Sequence, residues 1–344
     1  MKQMRVALAL LLLVLLIPVT VSAQGEQPCF GLAQADCALY YDLMANTQTG
    51  ESFAMAYTFH LLVPEQADIT SEGQGHISVT LTAADPLSAF RMDMITSNAA
   101  TVEGQTESGP FEFRVIDGNL YLNDGTEWVF TPLAALLESA GLPFLPFSAE
   151  MPGGAMGPGD VSEADRAALA EMMGPLAESM GQYVSMARGA DLTVAGNTVH
   201  VFTTTINLAG IFADPAFAES LGSLVAMGSA MGGEELGEEE MQQMTEMMPM
   251  MAGMLGMLFA NSSLSFTVKA GVDYYLYGFA IDFQMTIDPA MMASFSGTRP
   301  DPNAKPVDVT LNLDVSFTEH NAAFTYTVPE GARQLSPDEL GLGM

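Results

Sequence analysis

The chain has 344 residues, 49% of them hydrophobic, with 41 acidic against ten basic side chains and a formal net charge of −31. That balance excludes nucleic acid and an anionic membrane surface as direct partners, because both would be repelled. The same charge keeps an apolar, methionine-rich chain in solution.

Lys2 and Arg5 precede an almost wholly apolar run from Val6 to Val19, and Val21-Ser22-Ala23 supplies the small residues of a cleavage site. The apolar run is short for a span of ~20 residues. Residues 1–23 therefore read as a signal peptide, and the mature chain as a secreted or extracytoplasmic cell-envelope protein, not integral to a membrane once cleaved. Cleavage leaves eight basic residues against 41 acidic ones, a net charge of −33. The first cysteine, Cys29, follows Gln27-Pro28, so no lipobox is visible. Cys29 and Cys37 lie in CFGLAQADC, and so close a pair in an exported chain is expected to form a disulfide.

Asp36 reads as the N-cap of a short helix from Cys37 to about Asn46. Strand character follows at Ser52 to Val63, Gly75 to Ala83, Ala89 to Thr96 and Phe111 to Ile116, each alternating apolar with polar. Asp117-Gly118 and Asp124-Gly125 both predict type I′ turns, which set the strands Phe111–Ile116, Asn119–Asn123 and Thr126–Phe130 into a meander carrying the only tryptophan, Trp128. Thr131-Pro132 predicts the start of a helix over Leu133 to Ala140. Gly141 to Gly159 has no periodicity.

The next stretch, about 160 to 259, is the helical cover. Sixteen of the 26 methionines fall between Met151 and Met257. A capping box at Asp160 and Glu163 opens a helix to about Arg188, with Met172, Met173, Leu176, Met180, Tyr183 and Val184 in its apolar stripe. Strand returns at Ala190 to Ile206, with a turn at Gly196-Asn197, and Asp214-Pro215 opens another helix. Met241, Met244, Met248, Met251, Leu255 and Leu258 recur at helical spacing, leaving Gln242, Thr245, Glu246, Gly253 and Gly256 for the far side. Ser262 to Ile287 and Pro306 to Val328 are strand again, separated by a loop from Ser296 to Lys305, and residues 336–344 form a flexible tail.

Helices grouped on one face of an antiparallel sheet predict an α+β fold, with a single domain over 24–335 and its helical cover at about 131–259. The pieces Asp117–Phe130, DLTVAGNTVHVFTTTINL (Asp191–Leu208), VDYYLYGFAIDFQMTI (Val272–Ile287) and Val307–Pro329, ending in FTYTVP, resemble the LolA-like lipoprotein-carrier superfamily, nearest in pattern to LppX/LprG-type lipid-binding proteins. The resemblance implies a curved antiparallel half-barrel sheet, helices on its concave face and a hydrophobic cavity that carries acyl chains.

Catalytic chemistry finds no constellation. His60, His76, His200 and His320 are scattered singly over four strands, and no HExxH, GxSxG or phosphate loop occurs. The run Glu234 to Glu240 reads as a solvated acidic face, without the alternating oxygen ligands of a calcium loop. Met241, Met244, Met247 and Met248 offer soft thioethers for Cu(I), a reading weighed against ordinary packing or lipid contact. The expectation is a non-enzymatic protein without a cofactor that binds a lipid, acyl chain or lipoprotein. Its candidate contacts are Met172, Met173, Leu176, Met180, Met241, Met244, Met248, Met251, Leu255 and Trp128. The competing expectation is a structural or sensory envelope domain without ligand.

Overall fold

The computed structural model describes residues 29–47, 51–80, 89–102, 104–139, 181–217, 252–296 and 304–336, with residues 299 and 339. In chain order the strands are β1 (Ser52–Val63), β2 (Ala67–Val79), β3 (Phe90–Val102), β4 (Gln105–Ile116), β5 (Asn119–Asn123), β6 (Trp128–Pro132), β7 (Val184–Arg188), β8 (Leu192–Val194), β9 (Asn197–Ile206), β10 (Ser262–Gly271), β11 (Leu276–Ile287), β12 (Val307–Thr318) and β13 (Arg333–Gln334). The helices are α1 (Gln34–Asn46), α2 (Leu133–Ser139), α3 (Leu208–Ala213) and α4 (Pro289–Ser296), with a further helical stretch at 252–258.

All thirteen strands belong to one unclosed, curved sheet ordered β13-β6-β5-β4-β3-β2-β1-β12-β11-β10-β9-β7, with β8 hairpinned onto β9. This is the expected α+β half-barrel. Pairing is antiparallel throughout except at β13, which joins β6 in parallel. To reach that edge the chain leaves β12 and straps across the sheet. The Ala322 carbonyl accepts a hydrogen bond from Ser52 at 2.6 Å, Phe324 packs on His76 at 4.4 Å, and the Thr327 carbonyl accepts from Arg114 at 2.8 Å. The residues expected as strand up to Val328 are this strap.

Turn chemistry explains several boundaries. Asp117 and Gly118 both take positive φ, 50° and 75°, as a type I′ hairpin requires. The second Asp-Gly differs, because β6 begins only at Trp128. Here the Asp124 carboxylate turns back to accept from both the amide and the hydroxyl of Thr126 (3.1 and 2.6 Å), which makes a four-residue loop. In the β8–β9 hairpin the positive φ values fall on Ala195 and Gly196, one residue earlier than expected.

Other expectations are corrected at element ends. α1 is capped by Ala33, without a side-chain bond; Asp36 lies in its first turn and pairs with Arg188 instead. Thr131 and Pro132 close β6 before α2 begins. Val184 to Arg188, expected as the end of a long helix, form strand β7. α4 was hidden in the stretch between the last strand signals; the Asp288 carboxylate caps it by accepting from the Ala290 amide at 2.8 Å. Cys29 and Cys37 form the expected disulfide, with Cα atoms 5.3 Å apart.

Candidate functional site

Register decides what each face of the sheet presents, since neighbouring residues on a strand point to opposite sides. One face carries Phe53, Met55, Phe59 and Leu61 from β1, Ile69 and Ile77 from β2, Met92 and Met94 from β3, and Phe111, Phe113 and Val115 from β4. Leu264, Phe266 and Val268 of β10, Phe279, Ile281 and Phe283 of β11, and Leu311, Leu313 and Val315 of β12 continue it. Over the six adjacent strands from β10 to β3 no charged residue stands on this face. The opposite face of the strands from β10 to β4 holds Lys269–Asp314 at 2.8 Å, His60–Asp68 at 3.0 Å, His76–Asp93 at 3.0 Å and Arg114–Glu112 at 3.5 Å.

Two parts of the apolar face are closed by helices. Leu43 of α1 packs with Met186, Phe202 and Ala270. Leu208 of α3 packs with Leu264, Ile281 and Phe283, and Phe212 and Phe259 stack beside them with ring centroids 5.1 Å apart. Between α3 and the stretch 252–258 the contact is close. A Cβ on Gly256 would meet the Ala213 backbone nitrogen at 3.4 Å, and Ala252 is buried as well. Gly256 therefore faces inward, opposite to the expectation, while Gly253 looks into open space. Met257 is 57% exposed.

Further along the sheet the apolar side chains of β1 and β2 are only half-buried. A polar strip crosses this part. The Tyr57 hydroxyl lies 2.9 Å from Ser71 Oγ, which donates to Asn98 Oδ1 at 2.6 Å. Asn98 Nδ2 donates to Thr96 Oγ1 at 3.1 Å, and Thr96 donates to the Phe111 carbonyl at 3.0 Å. All four side chains share the apolar face. The Tyr57 ring passes over Gly73, where a Cβ would lie 2.5 Å from its Cε1.

Of the candidate contacts read from the sequence, Leu255 is described and half-buried in the stretch 252–258. Trp128 stands on the polar face, with the Arg114 guanidinium 4.7 Å above its ring. Inward alternation on β6 falls to Val129 and Thr131 instead, opposite Leu122 and Leu120. Met172, Met173, Leu176, Met180, Met241, Met244, Met248 and Met251 lie outside the described residues. Tyr57, Ser71, Thr96 and Asn98 were not singled out from the sequence, where they look like ordinary polar strand residues.

At the β7 edge, Arg188 bridges Asp36 at 2.7 Å and Asp191 at 2.9 Å, and His200 Nδ1 lies 3.0 Å from Asp191. Hydrogen bonds from His200 and then Arg188 hold the Asp191 carboxyl below the usual carboxylate range. These contacts tie α1 to the sheet edge and occupy the Arg188 guanidinium with two carboxylates. A shallow groove of about 520 Å³ beside Ser263, Gln284, Thr286, Asp308 and Thr310 lies on the polar face, away from the apolar wall. Among the described residues no group of His, Cys, Asp and Glu could hold a metal ion, and no helix is long and apolar enough to cross a membrane.

No family model matches the chain, and no curated protein matches it. Among solved structures it is similar to the lipoprotein LppX of Mycobacterium tuberculosis, with 10% identity, 84% of this chain and 97% of that chain covered, and a TM-score of 0.30. LprF from Mycobacterium bovis matches with 12% identity, 85% and 95% coverage and a TM-score of 0.30. A LolA superfamily protein from Nitrosomonas europaea matches with 8% identity, 84% and 94% coverage and a TM-score of 0.17.

Proposed function

We infer that this chain binds a hydrophobic ligand, a lipid or the acyl chain of a lipidated partner, along the apolar face of its sheet. It does so outside the cytoplasm and without catalysing a reaction. The observation that carries this is the uncharged face running from β10 to β3, whose β1 and β2 side chains are half-buried instead of sealed. A face built only as core would be closed along its length, as it is under α1 and α3. Burying an acyl chain supplies ~0.8 kcal/mol per CH₂, so a dozen methylenes give roughly 10 kcal/mol before the entropic cost of association. On sequence grounds alone, Leu255 and the methionines of the helical cover are proposed to supply further contacts, since the thioether adapts to chains of varied shape.

Native mass spectrometry of gently purified protein tests this, together with titration of the neutral apolar dye N-phenyl-1-naphthylamine. A co-purifying lipid or saturable dye binding supports it. A clean apo mass with no dye uptake overturns it and favours a structural envelope domain. Replacing Met248 and Met251 by Asp lowers dye affinity if the methionines contribute, whereas Met→Leu changes leave it intact.

A further inference from the structure

Four polar side chains at the β3 end of the face that is uncharged from β10 to β3, with Glu107 on the same side of neighbouring β4, need an explanation, because each costs free energy there unless it is hydrogen-bonded. Their mutual bonds satisfy them only in part. Ser71 commits its hydrogen to Asn98, so the Tyr57 hydroxyl donates to Ser71, and the chain of donors runs one way to the Phe111 carbonyl. Counting valences, one N–H of Asn98 is left over, with lone pairs on Tyr57 Oη, Ser71 Oγ and Asn98 Oδ1. None of the four has a further partner among the described residues. The strip thus offers one donor beside several acceptors, flanked by Phe59, Ile69 and Met94 on the same face.

We propose that Tyr57, Ser71, Asn98 and Thr96 form a subsite for the uncharged oxygen head of an amphiphile, an ester or amide carbonyl beside a hydroxyl. This rests on the reading of the apolar face as a ligand surface. Asn98 donates to the ligand carbonyl, and Ser71 or Tyr57 accepts from its hydroxyl. An ionised head is refused, because no charged residue shares the face from β10 to β3. Arg188, at the far edge, is already held by Asp36 and Asp191. A carboxylate or phosphate placed at the strip would be desolvated without a counter-ion, inside a chain of formal charge −31.

The test is displacement of N-phenyl-1-naphthylamine from the full chain by 1-monooleoylglycerol and by oleate at pH 8, at matched monomer concentrations. Wild-type protein should bind the monoglyceride at least tenfold tighter than oleate. Asn98→Leu should weaken the monoglyceride roughly tenfold relative to oleate, the loss of a hydrogen bond in a desolvated site. Ser71→Ala serves as a milder second variant should Asn98→Leu not fold, and it should narrow the same preference. Equal affinity for the two lipids, or a preference untouched by both variants, overturns the subsite while leaving the apolar face intact as a binding surface. Failure of the dye itself to bind overturns the proposed function, and the subsite with it.

Discussion

The imidazole of His320 lies flat on the ring of Tyr275, with centroids 4.7 Å apart and planes 10° from parallel. Tyr277 meets the same imidazole edge-on at 5.0 Å, and neither ring nitrogen has a hydrogen-bond partner among the described residues. Burial, opposed by nearby Asp273, holds this imidazole below its ordinary value. The unfolded chain takes up a proton near ~6.5 that the folded chain resists. Stability present above that pH is therefore lost as the pH falls through it toward the lower folded value. Calorimetric melting at pH 7.5 and 5.5 should show a larger drop in Tm for wild type than for His320→Phe. The variant should also be at least as stable at pH 7.5, since two unpartnered nitrogens leave the interior. Parallel slopes would remove His320 as the titrating group.

Arg114 anchors a second packing motif on the polar face, over Trp128 and under the carbonyl of Thr327. Trp128→Ala should cost about 1–3 kcal/mol in urea unfolding, through lost ring burial and lost cation–π attraction. Its dye and lipid affinities should equal those of wild type, because the ring is on the wrong side of the sheet to reach a ligand. Weakened lipid binding in a folded Trp128→Ala protein would place the ligand on the polar face and reverse the assignment of sides.

The disulfide and the Asp36–Arg188 pair both fasten α1 at its first turn. The closed loop is short, so reduction or Cys29→Ser with Cys37→Ser should cost ~2–3 kcal/mol at most. The intact protein should show no thiol reactive toward iodoacetamide before reduction. Arg188→Ala in the reduced protein should lower stability further than in the oxidised one, because it leaves the first turn of α1 with neither fastening. Equal losses in both redox states would mean that the two fastenings act independently.

How much of this was legible in the sequence follows from which strands keep an apolar alternation. β1, β3 and β10 to β12 show it in their inward residues; β1 was read at its observed bounds, β3 only to Thr96, β10 and β11 as one run, and β12 some ten residues too far. β2 was read only in its last residues, around Ile77 and Val79. The inward positions of its middle are Ser71, Gly73 and Gly75, where a period-2 hydrophobic signal has nothing to register. The polar strip thus erased its own strand from view. β4 lost its first half for the same reason, since Gln105, Glu107 and Gly109 alternate with nothing apolar. The side that Trp128 takes was not legible, because a lone aromatic in a hairpin does not reveal its side, whereas the register against Asn123 and Leu122 does. Asp-Gly at 117–118 was decisive because both residues adopt positive φ; Asp124 diverted its carboxylate to Thr126 instead.

Two glycines three residues apart on the stretch 252–258 give a last test of which way that stretch faces. A sequence pattern places Gly253 and Gly256 on the same outer side. The structure separates them, with Gly253 in open space and Gly256 against Ala213 of α3. Gly253→Ala should therefore stabilise the protein by roughly 0.5–1 kcal/mol, through helix propensity and a less disordered unfolded chain. Gly256→Leu must push α3 away from the β10–β11 core around Leu264 and Phe283, and overpacking of that kind costs about 1–3 kcal/mol. Urea midpoints of the two variants should move in opposite directions from wild type. If both rise together, the stretch does not press on α3, and the closure of that half of the apolar face loses its inner contact.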